Sequence, residues 1–163
     1  MRKLSAAVLV LAAFVSISAL VYGGDLPKSE VKLEGAQEVP PVSTDTSGRL
    51  KLRFNAASTE ATFRLKVFEG VGVTQAHLHC ALEGVNGPIV AFLFGFIPAG
   101  VNVNGLLAQG TLTDADILDT SGDPCGVTIT DIASLLAAVE DGRVYANVHT
   151  LVNPAGEVRG QVE

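Results

Sequence analysis

Tryptophan is absent from this chain of 163 residues, methionine occurs once, and only two cysteines and three histidines are present. The one methionine is Met1, which would be lost with an N-terminal leader, so a thioether copper(I) site is excluded from the mature protein. Three catalytic motifs are missing as well: the Gly-x-Ser-x-Gly elbow, the Gly-x-x-x-x-Gly-Lys phosphate loop and the His-Glu-x-x-His metalloprotease helix. These absences argue against a hydrolase.

Basic residues are scarce, because 11 Lys and Arg stand against 17 Asp and Glu, a formal net charge of −6. Without Arg2 and Lys3, at the start of the chain, the balance becomes 9 − 17 = −8. DNA, RNA and anionic lipid each require a basic protein face. The acidic composition therefore argues against all three as the main partner, and the sequence indicates no particular protein partner.

One long apolar run is present, over residues 4–21, and small residues follow it. This pattern is typical of a cleaved leader, so we assign residues 1–24 to a signal peptide and 25–163 to one exported domain. The alternative is a retained membrane anchor, because the run approaches spanning length. The mature protein is expected to be secreted or periplasmic, with no stable membrane insertion.

The two cysteines, Cys80 and Cys125, form an even count in a chain expected to enter an oxidising compartment. We predict a disulfide between them, which would close a loop of about 45 residues. The alternative is that Cys80 is a thiolate metal ligand beside His79. Adjacent residues of a strand point to opposite faces, so Cys80 should face away from that histidine.

The remaining sequence reads as short strands separated by turns. Alternating apolar and polar residues predict separate strands at 61–68 and 73–82. Residues 89–94 are all apolar and predict a strand buried on both faces, whereas residues 95–105 are expected to form a loop. Together these patterns predict an all-β, antiparallel Greek-key sandwich or barrel with one or two short connecting helices.

Two short helical segments are expected within this β-rich chain. Ile132, Leu135, Leu136 and Val139 recur with helical spacing, and Asp131 or its neighbour Thr130 can serve as the N-cap. A second helix start is expected near residues 113–114.

All three histidines fall in two strand-like motifs, TQAHLHC at 74–80 and YANVHT at 145–150. His77 and His79 are two residues apart, so both side chains point to the same face of a strand. Together with His149 they can supply three neutral nitrogen ligands, which suit copper(II) first and zinc next. The alternative is that the histidines and Asn147 form a structural hydrogen-bond network.

Four other residues are candidates for a fourth ligand or for supporting the site: Glu38, Asn147, Glu157 and Arg159. The two carboxylates lie beside predicted strand ends. Arg159 shares one strand face with Glu157, and it can anchor an anion or orient a ligand. The interpretation we favour for that pair is a solvated strand face with the two charges side by side.

Three blocks of sequence, in order, resemble the CHRD domain, named after chordin. They are LEGAQEVPP at 33–41, then AHLH at 76–79 with GVNGP at 84–88, and finally YANVHT at 145–150 with NP at 153–154 and GEVRGQ at 156–161. The resemblance spans nearly the whole mature chain and implies an extracytoplasmic module. In animal chordin such domains occur in an antagonist of bone morphogenetic proteins, but its cysteine-rich modules are missing from this chain.

The arrangement of a His-x-His strand and a distant histidine is also similar to copper/zinc superoxide dismutase, as an analogy of architecture alone. The sequence therefore predicts a secreted protein whose partner and cofactor is a transition-metal ion, copper favoured over zinc. One alternative is an extracellular structural or protein-interaction module without metal. A superoxide-dismutase-like copper enzyme is ranked lower, because an acidic protein does not steer an anionic substrate.

Overall fold

The structure is a computed structural model that describes residues 28–163, apart from residues 121 and 123. The signal peptide predicted for residues 1–24 lies outside the described residues. In the part of the chain that is described, no helix is both long enough and apolar enough to cross a membrane.

An antiparallel sheet dominates the fold, which confirms the predicted all-β class. Within the described residues it has seven strands: β1 (Lys28–Glu34), β2 (Ser47–Phe54), β3 (Glu60–Cys80), β4 (Ile89–Phe94), β5 (Val101–Thr113), β6 (Val144–Thr150) and β7 (Val158–Val162). Pairing runs β2–β1–β7–β6–β3, and β3 also pairs with β2. These five strands therefore form a closed, barrel-like circuit, with β4 and β5 attached to β3.

β3 is one strand of 21 residues, where the sequence predicted two strands at 61–68 and 73–82. Its first half pairs with β2 and β5, and its second half pairs with β6 and β4. The pairing register shifts on both sides of Gly70 and again between Val73 and Gln75. Gly72 has a φ of 63°, a left-handed conformation that glycine adopts without strain. The expected break is therefore a bulge, which bends a strand without ending it.

The bulge reverses which residues of β3 face the core. Side chains alternate along a strand, so an irregular insertion exchanges the inward and outward sets. Odd-numbered residues line the core as far as Val73 and even-numbered residues line it from Ala76 onward: Ala61, Leu65, Val67 and Val73, then Ala76, Leu78 and Cys80. The exchange is therefore complete only at the register shift between Val73 and Gln75. His77 and His79 consequently point away from the barrel core.

Two expectations for the middle of the chain are wrong. The loop predicted at 95–105 is cut short, because β5 begins at Val101. Residues 89–94 are not buried on both faces, since Phe92 is 45% exposed. Both segments border β3 at the margin of the closed circuit, where one face of a strand meets solvent.

The predicted helix is α1 (Ile132–Glu140), the one α-helix among the described residues. Its N-cap is Asp131, whose carboxylate accepts a hydrogen bond from the Ser134 backbone at 2.7 Å. Ile132, Leu135 and Val139 are buried against the barrel. The second expected helix is only a 3-10 turn (Asp114–Asp116), so it contributes little packing.

The structure contains the predicted disulfide between Cys80 and Cys125, with Cα atoms 5.0 Å apart. Both cysteines are fully buried, and Cys80 faces the core, opposite to the side of the strand that carries His79. The disulfide ties the end of β3 to the segment before α1. Cys80 is therefore unable to be the thiolate ligand that the sequence left open.

We predict that the double substitution Cys80→Ala, Cys125→Ala lowers the free energy of unfolding by about 4 kcal/mol. The reason is that the disulfide closes a loop with a sequence separation of 45 residues, which restricts the unfolded chain. Urea unfolding of both proteins measures the difference. Reducing agent should destabilise the parent protein and leave the variant unchanged; equal sensitivity of the two would contradict the assignment.

Candidate metal centre

The three histidines lie on the outer face of the barrel and are nevertheless buried. His77 and His79 belong to the second half of β3, and His149 belongs to the neighbouring strand β6. Their exposed fractions are 1%, 8% and 6%. Loops cover this part of the sheet, so a polar layer lies between the sheet and the loops, separate from the apolar core on the other face.

The structure brings the three predicted ligands together. One donor atom from each histidine can be chosen so that all three atoms lie within 4.8 Å of one another. The closest pair is His77 Nδ1 and His149 Nε2, at 3.0 Å. Nitrogens bound at about 2.1 Å to one ion are at most about 4.2 Å apart. Small rotations of the imidazole rings are therefore enough to place three nitrogens around one ion.

Backbone carbonyls fix the protonation of two rings. His79 Nδ1 lies 2.9 Å from the carbonyl oxygen of Gly87, and His149 Nδ1 lies 3.0 Å from that of Pro154. A carbonyl oxygen only accepts hydrogen bonds, so Nδ1 of each ring carries the proton and Nε2 carries the lone pair. In metal-binding histidines, one ring nitrogen is typically held by a hydrogen bond, as Nδ1 is here, and the other nitrogen gives its lone pair to the ion.

Two buried nitrogens in the cluster lack a hydrogen-bond partner among the described residues, His77 Nε2 and His79 Nε2. Buried polar atoms are usually satisfied, so an unsatisfied pair marks a place where a ligand or water fits. The His77 Nδ1 to His149 Nε2 contact, in contrast, is also a normal hydrogen-bond distance. The same geometry therefore suits a proton shared between two rings or an ion between them.

Burial keeps the imidazoles neutral. The pKa of His77 is lowered to about 3, mainly by burial and in addition by the neighbouring His149 and His79. Burial also lowers the pKa of His79 to about 4, against the opposing effect of its bond to Gly87. The pKa of His149 is lowered by burial as well. Neutral imidazole is the form that binds a metal ion.

Asn147 is the candidate supporting residue that contacts a histidine directly. It is the cross-strand partner of His77, and its Oδ1 lies 3.0 Å from His149 Nε2. Because His149 Nε2 carries a lone pair, a hydrogen bond there requires the amide to be turned so that its NH2 group donates, whereas the amide oxygen can approach an ion bound at that nitrogen. Asn147 is 3% exposed and belongs to the same polar layer.

Arg159 is buried, and the expectation of a solvated strand face is wrong. Arg159 is 1% exposed and Glu157 is 6% exposed. The Arg159 guanidinium carbon lies 3.5 Å from the centre of the Tyr145 ring, and that ring is stacked on His79 with centroids 4.8 Å apart. The expectation failed because loops cover this face of β7, which alternation along one strand does not reveal.

Arg159 also holds the loop that anchors His79. Its guanidinium donates to the Val85 carbonyl at 2.9 Å and to Asn86 Oδ1 at 3.1 Å. Asn86 in turn donates to the Val39 carbonyl at 2.8 Å, which ties two covering loops together. The next residue, Gly87, provides the carbonyl that fixes His79. Arg159 is therefore a positioning residue for the site.

The two candidate carboxylates do not hydrogen-bond to the histidines. Glu157 accepts hydrogen bonds from Thr44, Thr150 and Asn153. Burial alone would raise the pKa of Glu157, but these hydrogen bonds outweigh it and hold the pKa below its usual value. Glu157 thereby fixes the loop that contains Pro154.

Glu38 lies beneath the same loops, next to Gly156. A Cβ at that glycine would lie 2.4 Å from Glu38 Oε1, so any larger residue there would displace the carboxylate. Burial raises the pKa of Glu38 to about 7, although the nearby Arg159 opposes the shift. Glu38 Oε1 has no hydrogen-bond partner among the described residues.

Sequence reasoning missed the residues that complete the site. The ring of Phe92 packs edge-on against His77, with centroids 4.7 Å apart, and its 45% exposure places it between that histidine and solvent. Tyr145, Gly87 and Pro154 were also missed as partners of the histidines. All three belong to the motifs quoted above, but their contacts depend on strand register and loop path, which those motifs do not specify.

Comparison with known proteins gives one family. A family model described as the CHRD domain matches residues 29–162. No curated protein and no solved structure matches the chain.

We predict that acidification below about pH 6.5 destabilises the metal-free protein. The pKa values of His77 and His79 are about 3 and about 4 in the folded protein, against 6.5 for an ordinary histidine. The unfolded chain then binds more protons between pH 6.5 and 3, so the free energy of unfolding falls as the pH falls through that range. Urea unfolding at several pH values, with a chelator present, measures this loss.

Glu38 acts in the opposite direction. Its pKa is about 7 when folded and 4.5 ordinarily, so proton uptake by the folded protein adds stability as the pH falls from 7 to 4.5. The variant Glu38→Gln should therefore lose stability more steeply than the parent over that range. A stability that does not change between pH 7 and 4 in either protein would contradict the assigned protonation states.

Proposed function

The chain belongs to the CHRD domain family, and from its histidine cluster we propose that it binds one transition-metal ion outside the cytoplasm, through His77, His79 and His149. The ion is copper(II) by preference and zinc(II) next. Neutral imidazoles suit both ions, and copper binds such nitrogen sites more tightly in the divalent series. Storage, delivery or sequestration of the ion requires nothing beyond this site.

The observation that carries the proposal is the convergence of three histidines from two strands in a buried polar layer. Two of the rings are anchored at Nδ1 by backbone carbonyls, which leaves the lone pair on Nε2. His79 Nε2 has no hydrogen-bond partner among the described residues, and His149 Nε2 faces His77 Nδ1. All three pKa values are lowered, so no proton has to be removed from an imidazolium ion before binding at neutral pH. Asn147 is our candidate for the fourth position, because it contacts His149 from within the layer.

The extracytoplasmic location is supported by two further observations. The family model covers almost all of the described chain, and the resemblance implies an extracytoplasmic module. The buried disulfide fits the same location, since disulfides persist mainly in oxidising compartments.

A second candidate function is an extracellular structural or interaction module that binds no metal. The 3.0 Å contact between His77 and His149 favours it, because a hydrogen bond of that length satisfies both nitrogens without an ion. Burial of all three imidazoles does not favour a superoxide-dismutating enzyme, which would need rapid access of its substrate to copper.

We predict that the chelator-treated protein binds one equivalent of copper(II) with three-nitrogen coordination. Each of the variants His77→Ala, His79→Ala and His149→Ala should bind it at least about 100-fold more weakly, because a ligand is lost. Calorimetric titration against a weak competing chelator gives the affinities. The nitrogen splitting in the electron paramagnetic resonance spectrum gives the number of bound imidazoles.

The matched control is Gln75→Ala. Gln75 precedes the two histidines on β3 and is the direct cross-strand partner of His149 on β6. Its side chain is an amide and offers no imidazole nitrogen. It should bind copper as the parent does, and circular dichroism checks that all variants fold. Equal, weak copper uptake by the parent and every variant would refute the metal proposal and leave the interaction module.

A further inference from the structure

A second region of the barrel surface carries an unusual concentration of positive charge. The outward side chains of β1, β2 and the first half of β3 include six basic residues, here named the basic face: Lys32, Arg49, Lys51, Arg53, Arg64 and Lys66. Two carboxylates, Glu30 and Glu34, lie among them. The histidines occupy the other half of β3, beyond the bulge, so the basic face is separate from the metal centre.

The basic face stands out because the rest of the protein is strongly acidic. From residue 25 onward the chain has 9 basic and 17 acidic residues, a formal charge of −8. The face accounts for 6 − 2 = +4, so the remaining residues carry −8 − 4 = −12. The overall acidity therefore conceals a local surface of opposite sign, and net charge alone does not describe its partners.

Like charges face one another across the strands of this surface. Arg49 pairs directly with Lys66, and Lys51 pairs directly with Arg64. Like charges in this position destabilise a sheet. Their presence fits a surface that meets negative charge from outside.

Only part of the positive charge is neutralised within the protein. Glu30 contacts Arg49 at 3.1 Å and Lys51 at 3.0 Å, and Glu34 contacts Lys32 at 2.6 Å. Among the described residues, no carboxylate lies within 4.0 Å of the charged groups of Arg53, Arg64 or Lys66. Within the part of the chain that the structure describes, these three cations have no ion-pair partner and can meet an external anion.

The shape of the basic face suits an extended ligand. Two shallow depressions, of about 200 and 300 Å³, adjoin each other along β2 and β3 and share Lys51 and Arg64 in their walls. Alternate side chains of a strand are roughly 7 Å apart, so the cations form rows along the depressions. A chain with regularly spaced negative groups can contact several of them at once.

We propose that the basic face binds an acidic polysaccharide, a sugar chain that bears carboxylate or sulfate groups. The guanidinium groups of Arg53 and Arg64 match such planar or multi-oxygen anions with paired hydrogen bonds. The side chains along the depressions contribute charge and hydrogen-bond donors, and Thr62 adds a hydroxyl.

Nucleic acid and anionic lipid fit this surface less well. Double-stranded DNA is read by an element that enters a groove, and the basic face is a sheet surface built of strands alone. Single strands are held largely by stacking on aromatic rings, and lipid surfaces by apolar side chains that insert. Two phenylalanines line the depressions: Phe68, which is 37% exposed, and Phe63, which is partly buried against the core. The face therefore offers little aromatic or apolar surface for stacking or insertion.

The test is binding of the folded protein to polygalacturonate and to dextran sulfate at low ionic strength, with neutral dextran as the uncharged comparison. The double variant Arg64→Gln, Lys66→Gln should bind both polyanions about tenfold more weakly, because two unpaired cations are lost. The logarithm of the affinity should also fall less steeply with salt, by roughly one in slope for each contact removed.

The matched control is Ala133→Glu, Ala137→Glu, which places the same change of two negative charges on the exposed side of α1. It should bind the polyanions as the parent does. Equal weakening by the control and the double variant would overturn the proposal, since the effect would then be one of net charge. Binding to neutral dextran of similar strength would overturn it too.

Two further binding measurements test whether the ligand is a polysaccharide, a nucleic acid or a lipid surface. A thymidine oligonucleotide and phosphatidylserine vesicles are each offered to the same proteins under the same conditions. Both should bind more weakly than the acidic polysaccharides. If either binds more tightly, and the double variant loses that binding, the basic face serves nucleic acid or membrane and the polysaccharide assignment is wrong.

Discussion

The alternation of side chains along β3, and its reversal within one bulged segment, is the constraint on which the rest of the structure depends. The strand belongs to both halves of the closed circuit, so each residue that it places inward must fill the core. The register shifts between Val67 and Gln75 exchange the inward and outward sets without ending the strand. Cys80 therefore reaches the core and its disulfide, while His79, the residue before it, reaches the polar layer outside.

The polar layer is stable because almost every charge in it is satisfied by a loop or a stacked ring. Arg159 combines two hydrogen bonds with a face-on contact to Tyr145, and Glu157 is held by hydroxyl and amide donors. Burying a charge without such partners would cost several kcal/mol. The same contacts fasten the loops that carry the carbonyl anchors of the histidines, so the stability of the layer and the geometry of the site have one origin.

The elements with a strong local pattern were predictable from the sequence. Helical spacing and a capping residue identified α1, the paired cysteines identified the disulfide, and three motif blocks identified the family. The strand limits were less predictable, because glycine and asparagine in residues 95–105 read as a turn although β5 pairs there with β3. Local composition indicates how readily a chain bends but not whether a neighbour holds it straight.

For the site, the sequence identified the histidines but not their surroundings. Their confinement to two strand-like motifs predicted the cluster, since side chains two apart share a face. Arg159 was misread because its burial comes from loops distant along the chain, which no strand pattern reports. The anchors at Gly87 and Pro154 are main-chain atoms and leave no mark on side-chain composition.

The bulge also makes the two halves of β3 separable for protein engineering. The outward side chains of its first half and those of its second half belong to different surfaces. Because both halves are one continuous strand, the positions of the two surfaces relative to each other are fixed. The outward side chains of the first half face solvent, so they can be substituted with little effect on the loops that cover the second half. The domain is thus a scaffold on which two recognition surfaces can be diversified independently, with a fixed distance between them.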